Sequence, residues 1–298
     1  MMSAFQKIGL MGQYKTQEGN QTLHTLIDYL QKKTLDVYVE SETAASLNAS
    51  DVQIINKDQL GETVDLVIAV GGDGTLLQAA RCIVDNGIPV VGINHGRLGF
   101  LTDICAKDLE EKLDDIFAKT FFIEKRFLLQ AEVEGQSLPP CAALNDVVIA
   151  SGDAAHMMEF EVYINQNFMC SERSNGMIFA TPTGSTAYAL SGGGPIIQPT
   201  LDAILLVPMF SHSLSSRPIV VPGNSEITLV IGERIVSPPR ISADGLAICE
   251  LAAGQQVHIK KKTNALNLLH PVDYDYFGNV RSKLHWGHKL TRSDEASC

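Results

Sequence analysis

Hydrophobic positions in the first hundred residues follow two alternating rhythms. Lys7–Met11 is a short apolar run, and after it Leu23, Leu26, Ile27 and Leu30 fall at i, i+3, i+4 and i+7, the stripe of an amphipathic helix. Asp36–Glu40 reads as a second strand. Val64–Val70 is an apolar run that ends in glycine, as expected of a strand buried on both faces of a parallel sheet. Thr75–Asn86 places Leu76, Leu77, Ala80, Ile83 and Val84 on one helical face, with Gly87 as its stop and the strand Pro89–Asn94 after it. Strand and helix in alternation predict a doubly wound α/β domain over residues 1–102.

From about Phe121 the rhythm changes to two. Met158–Asn165 and Gln256–Lys260 alternate apolar with polar residues. Ile178–Ala180, Ile204–Val207, Ile219–Val221 and Ile227–Ile231 are short β-rich runs separated by Gly, Pro, Asn or Ser. Short connections make this half antiparallel, so a β-rich second domain is expected over residues 103–278.

Composition narrows the function classes. The 298 residues suit two domains, and 45% apolar against 19% charged residues exclude a disordered chain. The net charge is −11 and the longest basic run is Lys260–Lys262, read as a solvated strand end. Without a basic stripe, nucleic acid is not an expected partner. A small anionic ligand still fits, because a few Arg and backbone amides can make a local positive pocket. The N-terminus reads without a signal peptide, and apolar runs such as Ala203–Phe210 are far shorter than a bilayer span, so no membrane is expected. Six cysteines, at 82, 105, 141, 170, 249 and 298, form no Cys-x-x-Cys pair, which points to reduced thiols, no zinc site and the cytoplasm.

Three segments carry candidate chemistry. Val70-Gly71-Gly72-Asp73-Gly74-Thr75 leaves the most apolar strand and enters a helix, where glycines admit close approach of a phosphate and free amides face an anion. It is neither a Walker A motif nor Gly-x-Gly-x-x-Gly. Asp73 is the odd member: it reads either as a helix cap or as a general base acting on a hydroxyl. Thr181-Pro-Thr-Gly-Ser-Thr-Ala-Tyr188 offers hydroxyls and amides at a short helix, suited to ribose and phosphate oxygens or to a plain Ser/Thr turn. In Leu144-Asn145-Asp146, a polar pair interrupts an apolar strand, so one side chain faces ligand, both sit at a strand end, or the pair forms a plain turn. His285 and His288 lack a carboxylate cluster, and no metal ligands are assigned.

Taken together these segments resemble the NAD kinase family, more closely its bacterial members. The match continues through Gly92–Thr102, His212–Pro218, Asp244-Gly245 and Phe277–Trp286, covering nearly the whole chain. The Thr181–Tyr188 string in series with Gly-Gly-Asp-Gly is its most specific part. The resemblance implies an active site between an α/β and a β-rich domain, with residues 279–298 returning to the first. It implies transfer of a phosphoryl group from ATP, with Mg²⁺, to the 2′-hydroxyl of the adenosine ribose of NAD, and a homodimer or homotetramer.

The resemblance also implies roles for residues. Asp73 would activate the 2′-hydroxyl, with Gly71, Gly72, Gly74 and Thr75 around the phosphates. Asn145 and Asp146 would contact the ribose region, and Thr186, Ala187, Tyr188 and Ser191 would line the base pockets. Arg173 would supply positive charge, His156 would approach substrate phosphate, and Asn94 and Phe100 would form the adenine-side wall. His95 reads equally as a residue near ligand or as a turn residue. Asn175 stands where the family pattern has Asp, keeping a carbonyl acceptor without the charge. Leu246 replaces a common Gln, and Ser211 a frequent Pro. The rival readings are a lipid or sphingoid kinase sharing the phosphate loop, and an NAD sensor without chemistry.

Overall fold

The expected alternation is realised in the computed structural model, which describes residues 4–12, 17–47, 52–94, 99–136, 141–153 and 155–287. In chain order the first elements are β1 (Lys7–Gly12), α1 (Gln17–Lys32), β2 (Asp36–Glu40), α2 (Ser41–Leu47), β3 (Gln53–Ile55), α3 (Lys57–Thr63), β4 (Leu66–Val70), α4 (Asp73–Ile83), β5 (Pro89–Asn94), β6 (Ile104–Cys105) and α5 (Leu109–Phe117). There follow β7 (Phe121–Val133), β8 (Cys141–Ala143), β9 (Asp146–Ala150), β10 (Met158–Ile164), β11 (Asn167–Ser174), β12 (Gly176–Ala180), α6 (Tyr188–Ser191) and β13 (Ala203–Met209). The last are β14 (Ile219–Pro222), β15 (Ile227–Ile231), β16 (Arg240–Ala243), β17 (Leu246–Glu250), β18 (Gln256–Pro271) and α7 (Tyr276–Leu284).

The chain divides into one unit of residues 1–125 with 266–298 and a second of 126–265. The junctions lie inside β7 and β18 rather than near 102 and 279. A long strand keeps its alternation as it leaves one core for another, so periodicity does not mark the passage.

The first unit has parallel strands in the order β3-β2-β1-β4-β5, with the end of β18 beside β5. The chain winds outward from β1 through β3 and then returns to β4. This reversal places a topological switch point at the carboxyl ends of β1 and β4, where open α/β sheets bind ligands. One sheet face buries Ile8, Leu10, Ile68, Val70 and Ile93 against Leu23, Leu26 and Leu30 of α1 and Leu113 and Ile116 of α5. On the other face, Gly9 lies against Leu60 of α3, and Gly92 against Leu76 of α4. Burial on both faces explains the unbroken apolar run of β4.

In the second unit an antiparallel sheet, β14-β13-β12-β9-β16-β17, faces a layer containing β11-β10-β15 and the start of β18. Phe160, Leu229 and Val257 from the second layer meet Met177, Phe179, Leu206 and Ile241 from the first. The alternate residues of β12, Ile178 and Ala180, pack outward under Ala189 and Ile197. That contact seats the Thr181–Ile197 segment on the sheet, which is why β12 reads as a continuous apolar run.

Candidate active site

The acidic loop of the first unit follows β4 at the switch point. Gly71 has φ of 151°, a backbone region that side-chain-bearing residues avoid. Gly72 precedes α4 without making a side-chain cap, and a Cβ built on Gly72 or Gly74 would meet no protein atom within 4 Å. These two positions therefore leave an open cradle at a helix N-terminus. Asp73 does not cap its own helix. Its Oδ2 accepts the Phe100 N–H at 3.0 Å and its Oδ1 the Leu101 N–H at 3.0 Å. Gly99 passes so close that a Cβ there would stand 1.9 Å from Asp73 Oδ1. Thr102, fully buried, closes the turn by accepting the Gly99 N–H at 3.0 Å and the Asn94 amide at 3.1 Å. The carboxylate is thus aimed by two backbone donors, while each oxygen keeps acceptor capacity for a further proton.

The second unit has a hub at the start of β9. Asp244 and Gly245, with φ of 47° and 77°, form the two-residue turn of the β16–β17 hairpin. The Asp244 carboxylate accepts the backbone N–H groups of Leu144, Asn145 and Asp146 at 3.0, 2.8 and 3.2 Å. The Asn145 carbonyl accepts the Thr181 N–H at 2.9 Å, tying the hub to the end of β12. Asn145 stands half-buried in the bend before β9 and Asp146 is buried as its first residue, the strand-end arrangement.

Burial, with the Asp244 charge beside it, pushes the Asp146 carboxyl up to about 7, although it accepts the Tyr188 backbone N–H. Between its ordinary value of 3.8 and about 7, the folded state holds a proton that the unfolded chain has released. Stability from this residue therefore falls as pH rises through that window. Asp146→Asn is expected to raise Tm by about 3–6 °C at pH 8 and to leave it unchanged near pH 4. Calorimetry at the two pH values checks this; equal shifts at both would contradict it.

The hydroxyl-rich loop holds itself. Thr181 Oγ1 donates to the Leu144 carbonyl at 2.5 Å and accepts the Gly184 N–H at 3.1 Å. Buried Arg126 donates to Thr183 Oγ1 at 3.1 Å, Ser185 Oγ accepts the Ile197 N–H at 2.9 Å, and Thr186 Oγ1 donates to the Thr183 carbonyl at 3.1 Å. Most of these hydroxyls are consumed in positioning, so the outward face belongs to half-buried Ala187 and to exposed Tyr188 and Ser191.

The other candidates are more scattered. His156 pairs with Asp153 at 2.8 Å on the surface, and Arg173 is exposed, 4.0 Å from Glu159. Asn175 donates its N–H to the Met209 carbonyl and accepts the Ser151 N–H through its own. Ser211 does shape a turn: its hydroxyl and that of Ser216 donate to the two oxygens of Glu172 at 2.8 and 2.7 Å. His95 and His288 lie outside the described residues. Among the described residues no group of three His, Cys, Asp or Glu side chains could hold a metal ion, and no helix is long and apolar enough to cross a membrane. Cys82, Cys141, Cys170 and Cys249 are free thiols, and Cys298 lies outside the described residues.

Comparison with known proteins bears on both units. Residues 8–121 match the ATP-NAD kinase N-terminal domain and residues 144–270 the ATP-NAD kinase C-terminal domain. The chain is 46% identical to the NAD kinase of Cellvibrio japonicus over 300 residues, covering 98% of this chain and all of the relative. It is 47% identical to that of Chromohalobacter salexigens, covering 97% and 99%. Yeast NADH kinase, solved with NADH, superposes with a TM-score of 0.87 at 23% identity, covering 96% of this chain and 90% of that one. An Archaeoglobus fulgidus NAD kinase solved with ATP gives 0.72 at 24% identity, covering 92% and 98%. At such identities these structures show the shared fold.

Proposed function

The chain belongs to the NAD kinase family, and we propose from its site that Asp73 takes the proton from the 2′-hydroxyl of the adenosine ribose of NAD as that oxygen attacks the γ-phosphorus of ATP. The new bond joins the 2′-oxygen to phosphorus and the bond to the β,γ-bridging oxygen breaks. ADP leaves with that electron pair, and the proton passes through Asp73 to solvent. The observation that carries the reading is a carboxylate fixed by two backbone amides beside an open glycine cradle. Little covalent chemistry is asked of a protein in such a transfer, so positioning and charge carry it.

Gly71, Gly72, Gly74 and Thr75 would present the start of α4 to phosphate oxygens, the usual anion site of a helix N-terminus. Mg²⁺ would accompany ATP and offset the charge of its phosphates. Asn145 and Asp146 would take ribose hydroxyls, and Asp146, sharing its proton near neutral pH, can accept or donate. Arg173 and His156 would add positive charge toward phosphates, Asn175 a carbonyl toward the substrate amide, and Thr186, Ala187 and Ser191 a wall for the bases. Asn94 and Phe100 would line the adenine side. The assembly would be a cytoplasmic homodimer or homotetramer without nucleic-acid or membrane partners.

Tyr188, at the start of α6, is 46% exposed and free to stack on a base. Tyr188→Ala is expected to raise KM for NAD about 3–10-fold with kcat nearly kept; an unchanged KM in steady-state kinetics would contradict the assignment. The function itself is tested by incubating the protein with NAD, ATP and Mg²⁺ and reading the product with an NADP-specific dehydrogenase. NADP supports it. Bound NAD with no phosphorylated product would leave a dinucleotide sensor.

A further inference from the structure

The first unit contains a buried cluster that no sequence motif singled out. His270, near the end of β18, is fully buried. Its Nδ1 faces Asp103 Oδ2 in a short contact, and its Nε2 faces Glu124 Oε2 of β7 at 3.1 Å. The imidazole packs on the rings of Tyr274 at 4.0 Å and Phe122 at 5.2 Å between centroids. Asn279 of α7 points its amide at Asp103 Oδ1 at 3.5 Å, and the Lys112–Asp273 pair, 2.8 Å long, links α5 to the same turn as Tyr274. An ionised carboxylate only accepts, so both contacts are hydrogen bonds when both ring nitrogens carry hydrogen. The group then holds one positive and two negative charges, each bond charge-assisted.

The position of Asp103 gives the cluster a role. Phe100 and Leu101, whose amides aim Asp73, lie on the same short segment, and Thr102 between them and Asp103 is itself buried and bonded. We propose that His270 is a positioning residue for the reaction: as an imidazolium clamped between Asp103 and Glu124, it pins the Gly99–Asp103 segment that fixes the Asp73 carboxylate. This rests on the reading of Asp73 as the proton acceptor. Loss of one ring proton at alkaline pH sets a bare nitrogen against a carboxylate oxygen, and the segment loses its anchor on β18.

The test uses ¹⁵N-histidine-labelled full-length protein, with His270→Gln identifying the resonance. The imidazolium pattern should persist at about pH 8, above the ordinary titration range of a histidine side chain. His270→Gln should lower kcat about 10–100-fold with KM for NAD within about twofold. Glu124→Gln, which lets a neutral ring keep both contacts, should flatten the alkaline fall in kcat relative to the parent. A neutral ring in the parent at pH 7 would overturn the proposal even if His270→Gln fails to fold, and so would parental kcat in a folded His270→Gln. Activity in the parent with none in Asp73→Asn, beside unaffected His270→Gln, would defeat this inference alone. A parent that makes no NADP would remove both.

Discussion

Asp73→Asn should lose about 10²–10⁴ in kcat, the usual cost of removing a positioned base, while binding NAD within about threefold of the parent. Asn keeps one oxygen for one of the Phe100 and Leu101 amides, but its Nδ2 is a donor facing the other. The structural cost is therefore about one hydrogen bond, near 1 kcal/mol, whereas a proton acceptor is lost entirely. The two consequences separate in measurement. A scaffold role would appear as a lowered Tm with turnover mostly kept, and a base role as the reverse.

Gly99→Ala should be nearly as damaging although it changes no reacting group. The new methyl would sit 1.9 Å from Asp73 Oδ1 and 2.5 Å from Thr102 Oγ1. Neither has room to give: the carboxylate is held by two amides, and the threonine is buried in its own pair of bonds. The carboxylate must leave its amides or the segment must shift, and misplacement of a reacting group by about 1 Å costs about 100-fold. Steady-state kinetics should show that loss in kcat with KM for NAD little changed. A Gly99→Ala enzyme at parental kcat would mean that the Asp73 geometry is not what turnover depends on.

Much of this arrangement was legible in the sequence because single patterns carried it. The apolar run of β4 ending in Gly71 placed the acidic loop at the end of a buried strand, and the fold put it at the switch point. The period-two stretches gave β10 and the start of β18. The helix cap remained an alternative for Asp73 because local sequence cannot show where Phe100 and Leu101 will fold. The hydroxyls of Thr181–Thr186 looked equally apt for ligand or loop, and burial turned Thr181, Thr183 and Ser185 inward. The short elements α2, β3 and α3 carry too few residues to establish a period. Most hidden was the Asp103–His270–Glu124 cluster, whose members lie 167 and 146 residues apart in sequence. A histidine at the end of a β-strand gives no sign of two distant carboxylates.

On the proposed mechanism, the Asp73 carboxylate beside the glycine cradle performs the proton transfer that makes NADP. Its most direct test is the initial rate of NADP formation at saturating NAD and Mg·ATP for the parent and Asp73→Asn side by side, with NAD affinity and Tm measured on both. Rapid NADP formation is expected from the parent and at most about 1% of that rate from the variant, with affinity and Tm close to the parent's. A variant that turns over within a few-fold of the parent would show that the proton goes elsewhere and that Asp73 serves only to hold its loop.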